Sequence, residues 1–186
     1  GIFGLSSTVA VDNEWADYLF VHEFGHHFAG LADEYYTSPV AYQPAAQVVE
    51  PWQANVTALL DGAPLKWRDL VAADTPLPTP WPKAEFEARQ REFQARRKQL
   101  RAESRPESEM NALFREEQAF NARLFSGIAT AGLVGAFRGA NYDARAFYRP
   151  QLDCVMFSRD AVPFCRVCER ALGTVIDLYA GRPQAN

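Results

Sequence analysis

Histidine is scarce in this chain. There are three, and all lie between positions 22 and 27. A mechanism that needs a histidine elsewhere is therefore excluded, and a Ser-His-Asp triad would have to draw its base from this one cluster. Cysteine is equally rare. Cys154, Cys165 and Cys168 are the only thiols, too few for a disulfide-stapled mini-protein and too few to build a four-cysteine zinc ribbon. No apolar run approaches the roughly 20 residues of a membrane helix. Positive charge is not in excess either: the net charge is −4 and the isoelectric point about 5.4, which argues against a nucleic-acid binder. The chain opens Gly1-Ile2-Phe3 with neither an initiator methionine nor a signal peptide. The expectation is a fragment whose upstream part carries an export signal and more of the fold.

Apolar material is sufficient for a core. Of 186 residues, 48% are hydrophobic and 13% aromatic, so global disorder is excluded and one domain with an insertion is expected. Residues 1–11 read as a strand. Asp12 or Asn13 can cap a helix over about 14–29, with Trp15, Leu19, His22 and His26 on one face and the apolar Phe20, Val21, Phe24 and Phe28 on the other. Gly30 is placed to end it in a left-handed cap. Residues 36–82 are irregular and proline-rich, with TPLPTPWP (75–82) reading as polyproline II and LKWRDLV (65–71) as one short helix.

Residues 83–125 hold 18 of the 42 charged residues and read as an inserted, charged helical hairpin split at Pro106. Ser104 and Glu107 make a capping box for its second half. The stripes are Phe86, Phe93 and Leu100 on the first helix, and Met110, Leu113, Phe114, Phe120 and Leu124 on the second. A glycine-rich stretch follows. Pro163 then opens a last helix to about Tyr179, with Val167, Leu172, Val175, Ile176 and Tyr179 as core candidates.

The chemistry is concentrated in His22-Glu23-Phe24-Gly25-His26, an HExxH pattern. Residues four apart on a helix lie about 40° apart, so both imidazoles can reach one Zn²⁺. Glu23 sits beside the metal without ligating it, placed to take a proton from a metal-activated water. A catalytic zinc has three protein ligands and an open position. With no histidine left, the third must be a carboxylate. The pattern also resembles the HExxHxxGxxH of metzincins, in which the helix ends at a glycine and the third ligand follows three residues later; here the helix is one residue longer, and the resemblance implies that the glycine-to-ligand spacing is kept. Gly30 plus three gives Asp33, with Glu34 as the alternative. His27 is off the ligand face. Asn55-Val56-Thr57 is a glycosylation sequon.

HEFGHHFAGLADEY (22–35), TPLPTP (75–80), GAFRGANY (135–142), YRPQLDCVMFS (148–158) and FCRVCERAL (164–172) together resemble the IgA peptidase family of metzincin-like, secreted zinc metallopeptidases. The resemblance implies an α/β zincin catalytic domain over 1–186, mostly helical in this chain, with the 83–125 hairpin inserted and further sheet strands upstream. It implies His22, His26 and Asp33 as zinc ligands, Glu23 as general base, and Met156 as the methionine of a turn beneath the metal. Ser158 stands where many metzincins carry a tyrosine, so Tyr142 or Tyr148 is a candidate to stabilise the oxyanion. A secreted location would allow one disulfide, from Cys154 to Cys165 or Cys168, with one thiol left over. A redox pair at 165/168 would lack its βαβ context.

The function implied is a secreted or cell-surface endopeptidase acting on an extracellular protein, with an immunoglobulin or mucosal glycoprotein as the suggested class. No nucleic acid and no membrane span are expected. Two alternatives stand beside it: an inactive zinc-containing module that binds glycan or protein, and metal-assisted hydrolysis of something other than a peptide.

Overall fold

The computed structural model describes residues 12–36, 48–59 and 64–182. The expected strand at 1–11 lies outside them. The described residues form four helices and one two-stranded sheet. In chain order these are α1 (Ala16–Ala29), a 3₁₀ turn (Arg68–Leu70), α2 (Lys83–Ala102), α3 (Glu107–Ser126), β1 (Phe137–Ala140), β2 (Asp143–Arg149) and α4 (Arg166–Tyr179).

Helix α1 begins two residues later than its apolar pattern suggests. Asn13 folds the chain into it by accepting the Trp15 N–H at its side-chain oxygen, 2.7 Å away. Gly30 ends it in the left-handed region, at φ 61°. Its N–H reaches His26 O, and the Leu31 N–H reaches Gly25 O, so the last carbonyls of the helix are satisfied. The faces of α1 are inverted relative to a simple amphipathic reading. His22 and Gly25 are its buried residues, while Phe20, Val21 and Phe24 are exposed.

Helices α2 and α3 form an antiparallel hairpin. Arg89 and Arg96 pair with Glu116 across it on exposed surface, where such pairs contribute about 0–1 kcal/mol each. Burial of Phe93 and Leu113 contributes about 1.5–3 kcal/mol each and so outweighs the ion pairs. The capping box does not form. Pro106 disfavours helical geometry at the residue before it, so α3 starts at Glu107 with Pro106 at its N-cap, and Ser104 sits at φ 50°. The hairpin base belongs to the central core, where Phe86 stacks on Phe125 and packs 5.4 Å from Phe157. Its tip side reaches α1 through Trp15, whose indole donates to Asn111 and meets Phe114 edge-on.

The β1–β2 hairpin turns through Asn141 and Tyr142, both at positive φ (49° and 63°), between the paired Ala140 and Asp143. A two-residue turn with both φ positive matches the twist of the strands it joins. The sheet gains a bridge on each side, Thr57 to Tyr148 and Thr79 to Phe137. Gly135 is required there, because a Cβ at this position would come within 2.1 Å of Thr79 Oγ1. The 75–82 stretch is irregular, and Leu77–Pro78 is cis.

Helix α4 packs on α1 through its first turn, where Val167 and Cys168 are buried. Of the other core candidates, Leu172 and Val175 are half-buried, and Ile176 and Tyr179 are exposed. Only the start of this helix lies against the core cluster.

Candidate metal centre

His22 and His26 project from one face of α1, and after Gly30 the chain doubles back to bring Asp33 against them. His22 Nε2 lies 3.0 Å from Asp33 Oδ1, His26 Nε2 lies 3.1 Å from the same oxygen, and the two Nε2 atoms are 3.1 Å apart. Each outer ring nitrogen faces a backbone carbonyl. His22 Nδ1 is 2.9 Å from Val155 O, and His26 Nδ1 is 2.6 Å from Leu31 O. A carbonyl only accepts, so both Nδ1 atoms donate, and in the neutral rings both Nε2 lone pairs are turned toward the Asp33 carboxylate.

Three lone-pair donors converging in this way repel one another unless a cation lies among them. Tetrahedral zinc with bonds of about 2.0–2.1 Å puts its N and O ligands roughly 3.3 Å apart. The observed triangle is close to that, so the donor set fits the metal. Without it the same geometry is felt as charge coupling. Burial opposes a charge on His26, but the Asp33 carboxylate outweighs this and raises its pKa. Burial likewise opposes ionisation of Asp33, yet the two imidazoles hold its carboxyl well below the usual range.

Asp33 is itself oriented. The Tyr142 hydroxyl donates to its Oδ2, and the Tyr35 hydroxyl lies 2.8 Å from that of Tyr142. The positive-φ turn places Tyr142 here, because the hairpin tip docks on the segment after α1: Asn141 N–H on Asp33 O at 3.0 Å and Tyr142 N–H on Tyr35 O at 3.1 Å. A tyrosine at such a φ is a strained choice, of the kind retained at functional sites. Tyr148 is buried in the sheet, paired with Thr57. Ser158 donates to Asp153 Oδ1 at 2.6 Å.

Tyr18 and Tyr35 were not apparent in the motif. The Tyr35 ring stacks on His22 at 6.1 Å, and the Tyr18 hydroxyl is 3.4 Å from His22 Nδ1. Tyr18 stands four residues before His22, a helical spacing that carries this signal. Met156 is fully buried in the turn that follows Cys154, against α1 at Gly25, where a Cβ would come within 2.8 Å of its sulfur. Glu23 is half-buried and lines a cavity of about 280 Å³ between α1 and the helical hairpin, together with Tyr18, His22, Tyr35, Glu117 and Arg159.

Glu34 faces away from the histidines. It is fully buried and, with Cys154, Cys165 and Cys168, makes a second group that could hold a metal ion. No disulfide joins these cysteines: all three are free and buried. The expected pairing is replaced by a convergence of three thiols on a carboxylate. Asn55 is also fully buried. Its Oδ1 accepts the Ala32 N–H, and its Nδ2 donates to Ala32 O and Glu34 Oε1. The sequon is therefore closed to glycosylation in the folded chain.

The helix that bears HExxH, with a carboxylate returned to its two imidazoles, makes a group that could hold a metal ion. The chain matches the family model of IgA Peptidase M64 over residues 1–176, and it belongs to that family, a family of metallopeptidases. A metal and a protein substrate follow from membership. No curated protein matches the chain. No helix among the described residues is long and apolar enough to cross a membrane.

Proposed function

We propose that this chain is a secreted, zinc-dependent endopeptidase of metzincin-like build. His22, His26 and Asp33 hold the metal, and Glu23 is the general base. The observation that carries this reading is the triangle of Nε2, Nε2 and Oδ1 atoms, 3.0–3.1 Å on each side, with Glu23 one residue from its buried corner. The group contains three donors among the described residues, which favours an open fourth position over a closed, purely structural site.

Bound zinc supplies Lewis acidity toward the scissile carbonyl and the attacking water. The protein does the rest. Glu23 takes the proton of the attacking water and delivers it to the leaving amine nitrogen. Val155 O and Leu31 O fix the tautomers of His22 and His26, and Tyr142 holds Asp33 in place. The cavity beside Glu23 accommodates substrate side chains between α1 and the α2–α3 hairpin. An extracellular glycoprotein or immunoglobulin is the substrate class this reading carries.

Glu23→Gln tests the mechanism. The variant keeps its metal, measured by elemental mass spectrometry, and loses at least about 100-fold in turnover on an immunoglobulin and mucin panel. Retained turnover would remove Glu23 from the mechanism. Wild-type protein that holds metal but cleaves none of the panel would redirect the search for substrate to other proteins.

A further inference from the structure

The three cysteines and Glu34 form a cluster that the peptidase chemistry does not use. Glu34 Oε1 lies 3.3 Å from Cys168 Sγ and 3.8 Å from Cys165 Sγ, and Cys154 Sγ lies 3.9 Å from Cys168 Sγ. All four residues are buried, and one donor atom from each falls within 4.8 Å of the others. We propose that Glu34, Cys154, Cys165 and Cys168 form a closed tetrahedral site for a structural zinc ion, separate from the histidine centre.

The distances suit the ion. Zinc about 2.3 Å from sulfur and 2.0–2.2 Å from oxygen sets S···S separations near 3.8 Å and S···O separations near 3.5 Å. The observed S···S distance of 3.9 Å and S···O distances of 3.3 and 3.8 Å lie around those values. Cys165-x-x-Cys168 has the spacing of a zinc chelate. Cys165 is the N-cap of α4, where the positive end of the helix favours a thiolate.

The carboxylate is the second observation. Glu34 is fully buried, yet its Oε2 has no hydrogen-bond partner among the described residues. An ionised carboxylate in that position is costly unless a cation meets it. Arg149, also fully buried, attracts this carboxylate through its charge, but its N–H groups are spent on backbone: Nη1 donates to Gly139 O, and Nε and Nη2 to Leu152 O. A divalent ion among the three sulfurs and Oε1 would meet the carboxylate directly, at the distances the four donors already keep. Binding forms three Zn–S bonds and one Zn–O bond, each thiol releases its proton to solvent, and no redox partner is needed. A disulfide between two of the thiols would leave the carboxylate unexplained.

Such an ion would clasp three parts of the chain: the segment after α1, the turn that carries Met156, and the first turn of α4. Because Asp33 precedes Glu34, it would also brace the carboxylate of the histidine site.

The test uses the intact chain, purified without added metal. Elemental mass spectrometry is expected to find about two zinc ions per wild-type chain and about one in a His22→Ala/His26→Ala variant. Wild type exchanged into cobalt(II) is expected to show near-ultraviolet sulfur-to-cobalt charge transfer, which an organomercurial thiol reagent abolishes. That measurement needs no substitution and so survives a variant that fails to fold. A cobalt spectrum without the thiolate band overturns the proposal, even if the histidine centre is filled. So does a disulfide found by non-reducing digestion of the native protein with one thiol left to alkylate. A thiolate band with only one zinc per chain supports this site and counts against the histidine centre.

Discussion

Asp33 and Glu34 are neighbours in the chain, and their carboxylates serve opposite sides of it. Asp33 Oδ1 meets the two imidazoles at 3.0 and 3.1 Å, while Glu34 Oε1 meets the Cys168 thiol at 3.3 Å. The reason is backbone alternation. The Asp33 and Tyr35 carbonyls accept from the β1–β2 turn, the Glu34 N–H donates to Met156 O, and burial alternates from Ala32 to Tyr36. In an extended segment successive side chains point to opposite sides, so one carboxylate reaches the histidines only if the next does not.

Asp33 and Tyr142 should therefore differ in degree. Tyr142→Phe removes the hydroxyl that orients Asp33 and is expected to weaken zinc binding at the proposed histidine centre by about 10–100-fold. Asp33→Ala, which removes the donor itself, should weaken it further. Competition against a chromogenic chelator ranks the two. Unchanged affinity in Tyr142→Phe would mean that the strained turn holds Tyr142 for another purpose.

Gly25 lies inside the HExxH pattern and against Met156. Alanine there gains roughly 1 kcal/mol of helix propensity, but its Cβ would come within 2.8 Å of Met156 Sδ and 3.0 Å of a Phe164 ring carbon. Overpacking a fully buried neighbour costs about 1–3 kcal/mol. The clash is expected to prevail, lowering Tm by about 2–4 °C for each net kcal/mol. Thermal unfolding of Gly25→Ala decides this, and a rise in Tm would show that the methionine can retreat.

Asp160 is destabilising when ionised. Burial, reinforced by the charge of Asp153, pushes its carboxyl up to about 8. In the unfolded chain it ionises near pH 4. Between those values the unfolded chain is the more ionised, so the stability owed to this group falls as pH rises from about 4 to about 8 and then levels. Asp160→Asn removes the ionisable group and keeps an oxygen to accept from Asn121 Nδ2. Its Tm should match wild type near pH 4 and exceed it by at least about 2 °C at pH 8.5. Equal Tm values across that range would mean that Asp160 is ionised in the fold at no cost.

The grouping of His22 and His26 with Asp33 was legible because its signal is local. His22, Glu23 and His26 stand within one and a half turns of helix, and Gly30 fixes where the chain turns toward Asp33. The cysteine cluster was not, since its donors come from positions 34, 154, 165 and 168 and only folding brings them together. Three cysteines cannot make a four-thiol site, and the carboxylate that joins them, Glu34, was read as the alternative to Asp33 at the histidines. The faces of α1 misled for a related reason. His22 is buried there and His26 half-buried because they have partners, while Phe20 and Phe24 are left outside. At Ser104 the local pattern was correct in kind but lost to Pro106, two residues on.

Asn55 shows how a motif can be cancelled by burial. All three of its side-chain hydrogen bonds lie in the interior, two to Ala32 and one to Glu34. Glycan transfer would require the loop to open. Secreted from a host that glycosylates, the folded protein should carry no glycan at this position, read by intact mass before and after enzymatic deglycosylation. Asn55→Ala leaves the Ala32 N–H and C=O without their partner and strips Glu34 of its one amide donor. Each buried group left unsatisfied costs about 1–3 kcal/mol, so this substitution should destabilise the chain more than Gly25→Ala does. A glycan found at Asn55 on active protein would mean that residues 31–36 do not pack as described, and would remove the support beneath both Asp33 and Glu34.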